Sequence, residues 1–392
     1  MSTTPLPRIA HHIRSFERAL EGYSAKIPLA RYLTAFYKEN RQMGSKDRKK
    51  VTQLLYHYFR LGQAAATLPV LQRLALAECL AGGDPAVVAY LTPEWTNIWD
   101  LPLTDKIEWF EAHTSFRLED VFPCAEAISP QLDSKALLTS SFSQPQVFIR
   151  VFQSSLPRVK AILRAQEVQF EQIGEQTFAF PNGTNLQALN LPEGSYQVQD
   201  LSSQHVLNGL TAKPKSTWWD ACSGAGGKSL NLKDRFPDIK LLVSDVRPSI
   251  LRNLAERFDA AGIRDYRSKV IDLTQGTEVL GNEKFDGILL DVPCTGSGTW
   301  GRTPEQLSAF TCSKIAYFSS LQRQIAGHAL AHLAPNGVLC YSTCSVYTQE
   351  NEAVIAFLAE HYGLTIVDMR YEIGYHRQAD TLFVAHLQFK NT

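Results

Sequence analysis

The chain has 392 residues, 44% of them hydrophobic, which exceeds the usual size of one compact domain and predicts two or three. The formal net charge is zero, so overall charge gives no argument for a nucleic-acid partner. Seven cysteines, an odd number without paired ligand spacing, argue against a disulfide scaffold and a zinc site, and no metal is expected. The segment 1–18 meets His11, His12, Arg14, Glu17 and Arg18 before any long apolar run, and the longest stretch without a formal charge, 324–349, is broken by His328, His332, Pro335, Asn336 and Gly337. Neither a secretory signal nor a membrane span is expected, and the chain reads as a soluble, cytoplasmic, monomeric protein.

The first 70 residues repeat a helical signal: Ile9, Ile13, Phe16 and Leu20, then Leu29, Tyr32, Leu33 and Phe36, then Val51, Leu54, Leu55 and Tyr58. The same 70 residues hold 12 Lys and Arg against 4 Asp and Glu, with Lys46, Arg48, Lys49 and Lys50 clustered, whereas 71–140 hold 4 against 11. A run such as 46–50 is commonly a solvated helix start, but a whole basic segment beside an acidic one suggests a nucleic-acid surface. A helical domain over 1–140 follows, then a small α+β module over 141–204, where β-branched and aromatic runs (147–152, 178–180) flank a helical stretch at 158–166.

From Ser216 apolar strands (217–221, 241–244, 269–273, 287–290, 338–342) alternate with helical stretches (249–260, 313–333, 350–361). That alternation predicts an α/β domain over 205–392 with a doubly wound, Rossmann-like, mostly parallel sheet. Two closing strands, 364–367 and 382–387, are joined too closely for a parallel crossover and predict an antiparallel C-terminal hairpin, as in the common methyltransferase architecture.

The first of these strands runs into Asp220, Ala221, Cys222, Ser223, Gly224, Ala225, Gly226, Gly227, Lys228 and Ser229, a glycine-rich loop at the carboxyl edge of the sheet. Gly227-Lys228-Ser229 imitates the end of a P-loop, but Cys222 stands where that motif needs its first glycine, so a nucleotide hydrolase is the weaker reading. Asp245, 19 residues after Gly226, is expected to end the second strand and bind ribose hydroxyls, and Asp272 to end the third within reach of an adenine. Strands four and five deliver Asp291-Val292-Pro293-Cys294-Thr295-Gly296-Ser297-Gly298 and Tyr341-Ser342-Thr343-Cys344-Ser345 to the same edge.

These segments, with Arg302, Pro304 and Glu350-Asn351-Glu352, resemble the Fmu/Sun-type RNA cytosine-5 methyltransferases. Gln199-Asp200-Leu201-Ser202-Ser203-Gln204 is similar to the start of that family's catalytic domain, and 23–62 more loosely to its helical RNA-binding domain. The resemblance implies S-adenosyl-L-methionine as cofactor, bound by Cys222, Ser223, Gly224, Ala225, Gly226, Gly227, Lys228, Asp245, Asp272 and Asp291. It implies RNA as substrate, ribosomal rather than transfer RNA, contacted by Lys46, Arg48, Lys49, Lys50 and Arg302.

The resemblance further implies that Cys344 attacks carbon 6 of a cytosine, which makes carbon 5 nucleophilic, and that Cys294 assists release; the chemistry also asks for an acid at the ring, which Asp291 is expected to be if it is protonated or shares a proton with the base. The chain departs from the family at Gly224 and Ala225, where alanine and proline are usual, and at Gly301 and Glu305, where arginine and aspartate are usual. Ala225 is expected to loosen the cofactor loop. A catalytically idle RNA-binding assembly factor is the remaining alternative, though Cys294, Cys344 and Asp291 are all present.

Overall fold

The computed structural model describes residues 8–390; the opening residues of the stretch read against a secretory signal lie outside them. The chain forms two compact units. The first comprises the residues up to Glu126 together with Asp133–Gln144 and Trp300–Cys312. Its helices are α1 (Arg8–Glu21), α2 (Leu29–Glu39), α3 (Ser45–Phe59), α4 (Val70–Leu80), α5 (Pro85–Leu91), α6 (Leu103–His113) and α7 (Ser134–Ser140). Periodicity explains the first three. Phe16 of α1, Leu29 and Leu33 of α2, and Val51, Leu54, Leu55 and Tyr58 of α3 share one core with Leu74 and Val87, and Ile9 and Leu20 pack against it. Helix α4 is buried nearly all round, charges included: Arg73 donates to the carbonyls of Gly62 and Ala64, at 2.6 and 3.1 Å, and Glu78 pairs with His57 at 2.6 Å.

The second unit comprises Ala127–Leu132, Pro145–Thr299 and Ser313–Thr392. It opens with an antiparallel sheet of β1 (Val147–Val151), β2 (Glu171–Gln172), β3 (Thr177–Phe180) and β4 (Tyr196–Val198) in the order β2-β3-β1-β4, with α8 (Leu156–Ala165) against it. After α9 (Leu201–His205) the chain builds β5 (Thr217–Asp220), α10 (Gly227–Arg235), β6 (Lys240–Asp245), α11 (Pro248–Ala260), β7 (Arg267–Val270) and β8 (Phe285–Asp291). The short α12 (Glu305–Ala309) belongs to the first unit. Then come α13 (Ser313–Leu330), β9 (Leu333–Thr343), α14 (Glu352–His361), β10 (Leu364–Glu372) and β11 (Leu382–Phe389).

These strands form one seven-stranded sheet, ordered β10-β11-β9-β8-β5-β6-β7. The five strands β5 to β9 are parallel, and β11 runs antiparallel between β9 and β10, as the short connection requires. Successive side chains pack on opposite faces: Trp218, Leu241, Val243 and Leu289 meet α10 and α11, while Trp219, Leu242, Ile288 and Leu290 meet α13 and α14. Burial on both faces is why β5, β6 and β8 read as apolar runs, whereas the edge strand β7 is largely exposed. The order reverses at β5, so the crevice at the carboxyl ends of β5 and β8 is where such a sheet takes a ligand.

Three details differ from the sequence expectations. Asp272 does not end the third strand: β7 stops at Val270, and Asp272 turns the chain by accepting from the Thr274 amide and hydroxyl at 2.9 and 2.7 Å. The last long helix starts at Glu352 instead of 350, because Glu350 lies in a preceding turn with its side chain buried. Cys124 and Cys312 form a disulfide within the first unit, their Cα atoms 5.9 Å apart; a separation of 188 residues left no spacing signal for it. No described helix is long and apolar enough to cross a membrane.

Candidate active site

A cavity of about 710 Å³ opens at the carboxyl ends of β5, β6 and β8, the size of an ordinary small-molecule site. Its walls carry nine of the ten positions expected to hold the cofactor, Gly226 being the exception. Gly226 acts from behind the wall. It starts α10 at φ +80°, and a Cβ there would lie 2.8 Å from Leu254 and 3.1 Å from Phe258, so only glycine fits. Gly224 also has positive φ, at +53°, and its amide donates to Asp245 Oδ2 at 3.0 Å. Ser223 anchors the loop to β6 by donating its amide and hydroxyl to the Ser244 carbonyl at 2.9 and 3.0 Å. The Ala225 carbonyl accepts from Arg257 at 2.6 Å, a tie from α11 to the position expected to loosen the loop.

Asp245 ends β6, as expected, with both carboxylate oxygens in use. Oδ1 accepts from the Arg247 amide and Nε, both at 2.9 Å, and Oδ2 accepts from Arg247 Nη2 at 3.1 Å besides Gly224. Burial works against the charge, but Arg247 outweighs it and holds the carboxyl below its ordinary range. The Arg247 side chain is 61% exposed, so it can swing aside for a hydroxyl donor. Asp220, at the end of β5, is buried and accepts the Ser229 hydroxyl; burial pushes it up to about 7.

At the end of β8, Asp291 Oδ2 pairs with Lys228 Nζ at 2.6 Å and Oδ1 accepts from the Ser342 hydroxyl at 2.8 Å. Burial disfavours the Lys228 charge, but Asp291 more than restores it and raises the ammonium above the ordinary lysine value. The cavity wall continues through Val292 and Pro293, next to Cys294. Cys294 Sγ lies 3.4 Å from Cys344 Sγ, which β9 delivers one residue beyond its end. Contact with Cys344 and burial push the Cys294 thiol well above its ordinary value.

The expected RNA contacts belong to the other unit. Lys46 and Lys49 are exposed on α3. Arg48 instead donates to the Met43 carbonyl at 2.8 Å, and Lys50 pairs with Asp84 at 2.9 Å. Arg302 is half-buried in the segment Trp300–Cys312. At the departure Gly301, the backbone carbonyl accepts from the buried Arg60 at 3.1 Å, and Glu305 caps α2 by accepting from the Leu29 amide at 3.0 Å.

Two residues of the site carry no assigned role in the sequence reading. Gln199 lines the cavity, is 7% exposed, and its Oε1 has no partner among the described residues. Glu350 is fully buried between the two cysteine loops. No group of three or more metal-ligating side chains occurs among the described residues.

A family model described as 16S rRNA methyltransferase RsmB/F matches residues 207–387. Residues 207–387 are thus similar to RsmB/F-type methyltransferase domains. Ribosomal RNA small subunit methyltransferase B of Xylella fastidiosa (strain 9a5c) is 32% identical over 232 residues, 58% of this chain and 55% of the relative. The probable ribosomal RNA small subunit methyltransferase B of Bacillus subtilis (strain 168) is 28% identical over 223 residues, 55% of this chain and 50% of the relative. The chain thus spans about half the length of these curated relatives.

Solved structures share the fold. PH0851 superposes with a TM-score of 0.71 at 21% identity, covering 99% of this chain and 100% of that one. NSun6 from Pyrococcus horikoshii, solved with SFG, gives a TM-score of 0.58 at 15% identity, covering 68% and 100%.

S-adenosyl-L-methionine is the methyl donor of RsmB/F-type domains, and the residues present fit it. The cavity offers carboxylates at Asp245 and Asp272 for hydroxyl and amine donors, loop amides beside them, and at Gln199 a buried acceptor without a partner among the described residues.

Proposed function

We propose that this protein methylates carbon 5 of a cytosine in RNA, foremost small-subunit ribosomal RNA, with Cys344 as the nucleophile that first binds carbon 6. The observation that carries the reading is the 3.4 Å contact between Cys294 and Cys344 at the end of the Asp291 strand, beside the cofactor cavity. The names of the curated relatives and the SFG-bound neighbour, SFG being an analogue of S-adenosylmethionine, support the substrate class and the cofactor.

Cytosine carbon 5 is too weak a nucleophile to be methylated directly, and addition of a thiolate at carbon 6 makes it enamine-like. Contact with Cys344 and burial push the Cys294 thiol well above its ordinary value, so attack is assigned to Cys344, 3.4 Å away, and not to Cys294. Asp291 is the group read as acting at the ring, and its pairing with Lys228 at 2.6 Å adds an ammonium to it. The Lys228 ammonium would supply a proton donor to the ring atoms that gain negative charge during addition, while the Asp291 carboxylate would accept from the ring's exocyclic amino group. The cofactor supplies the methyl group.

Release then depends on Cys294. With Cys344 held in a thioether, Cys294 is freed from the sulfur neighbour that does most to raise it, and its proton passes to solvent. The resulting thiolate takes the proton from carbon 5. That electron pair forms the 5,6 double bond, and the carbon–sulfur bond breaks to return the Cys344 thiolate. A cytosine must reach this site from an unpaired region or by leaving its stack.

Bisulfite sequencing of ribosomal RNA from cells lacking and regaining the gene tests the proposal. The expected result is one small-subunit cytosine that converts without the gene and resists conversion with it. No such cytosine in any RNA would overturn the reading.

A further inference from the structure

Glu350 has no part in the steps above, yet its carboxylate lies where the two cysteine loops meet. It is fully buried, in the turn Thr348–Glu350 that follows β9. Oε1 accepts from the Thr295 hydroxyl at 2.6 Å and from the Ser345 hydroxyl at 2.5 Å. Oε2 accepts from the Thr295 amide at 2.9 Å and from Gln322 Nε2 at 3.0 Å. Thr295 follows Cys294 and Ser345 follows Cys344.

One rigid group therefore holds the residue after each cysteine. We propose that Glu350 is a positioning residue for methylation, setting the separation of the two thiols by binding both loops at once. The proposal rests on the two-cysteine reading above.

Its surroundings support a role beyond packing. Four donors converge on a carboxylate that makes no ion pair among the described residues, an arrangement that is costly to bury and needs full satisfaction. Burial raises the Glu350 carboxyl above its ordinary value, while its hydrogen bonds favour the charged form. Its negative charge is also among the causes that keep Cys294 protonated, after the contact with Cys344 and burial. The carboxylate thus acts on the pair in two ways, by geometry and by field.

The test uses the full chain with Glu350→Ala and Glu350→Gln. The thiol separation is read without any methylation, as the equilibrium of the Cys294–Cys344 disulfide against glutathione buffers, quantified by mass spectrometry of that peptide pair. Loss of the shared anchor in Glu350→Ala should lower the effective concentration of the pair about tenfold. A misplacement of about 1 Å at a reacting centre should lower kcat for RNA methylation about a hundredfold, with KM for RNA and affinity for S-adenosylhomocysteine unchanged.

Glu350→Gln keeps Oε1 for the two hydroxyls, and the Gln322 Oε1, which has no partner among the described residues, can turn to receive the new amide. It should fall between wild type and Glu350→Ala in both measurements, and it carries the test if the alanine variant fails to bind S-adenosylhomocysteine. A wild-type thiol equilibrium, or wild-type kcat, in the folded variants would overturn the proposal. Failure of the wild-type enzyme to methylate carbon 5 would overturn the functional reading instead, and the thiol equilibrium would still decide the role of Glu350.

Discussion

Cys294 and Cys344 touch, sulfur to sulfur, at 3.4 Å, although they come from different strands 50 residues apart. Their proposed roles predict opposite failures. Cys344→Ala removes the attacking thiolate, so methylation and the covalent adduct should both disappear. Cys294→Ala leaves attack and methyl transfer intact and blocks release, so a denaturant-resistant complex with RNA should accumulate when S-adenosylmethionine is present. A denaturing gel with labelled RNA reads both. Trapping by the Cys344 variant with normal turnover by the Cys294 variant would reverse the roles.

Asp245 is the carboxylate proposed to bind the ribose, and Arg247 holds it below the ordinary carboxylate range against the effect of burial. Asp245→Ala should weaken S-adenosylhomocysteine binding by about 1.5 to 3 kcal/mol for each charge-assisted bond removed, roughly tenfold or more in affinity. Calorimetry measures it. Unchanged affinity, or binding of ATP in place of S-adenosylhomocysteine, would remove Asp245 from the cofactor site.

Asp220 predicts a pH dependence of stability. Its carboxyl is raised from 3.8 to about 7 in the folded chain, so between those values the folded state holds a proton that the unfolded state has released. Stability must then fall as pH rises through that window, by at most about 1.4 kcal/mol per pH unit from this group. Asp220→Asn cannot titrate. Its stability relative to wild type, measured by chemical unfolding, should grow as pH rises from about 4 to about 7; a constant difference would show that Asp220 titrates normally.

Only Lys46 and Lys49 of the basic cluster are exposed. Arg48 and Lys50 are held by Met43 and Asp84, so reversing them tests folding as much as binding. Reversing Lys46 and Lys49 alone should weaken RNA binding and flatten its salt dependence by about 0.7 in log–log slope for each phosphate no longer neutralised, with cofactor affinity unchanged. Filter binding at several salt concentrations is sufficient. An unaltered slope would make α3 an ordinary solvated face.

The sequence revealed the groups that strand ends carry. Asp245 and Asp291 follow apolar runs whose length and β-branching locate the edge of the sheet, so both were legible along with the glycine loop. Asp272 was misread by two residues, because the apolar residues lie at and past the end of this short exposed strand: β7 is Arg267–Val270, and Ile271 and Leu273 already lie beyond it. The roles of Lys228 and Glu350 were hidden for a different reason. Each depends on partners far along the chain, Asp291 for one and Thr295 and Gln322 for the other, and a local pattern carries no information about such meetings. Gln199 was legible only as part of a motif, since nothing in the sequence marks an acceptor that burial leaves unpaired.

The membership of Trp300–Cys312 in the first unit has a consequence for synthesis on the ribosome. That segment supplies Trp300 against Phe122, Glu305 to the start of α2, and Cys312 to Cys124. The N-terminal helices emerge first, but their unit stays incomplete until Cys312 has followed, by which time β5 to β8 of the other unit have also left the exit tunnel. The two units must therefore mature in an interlocked order, and no single cut in the gene releases either one whole.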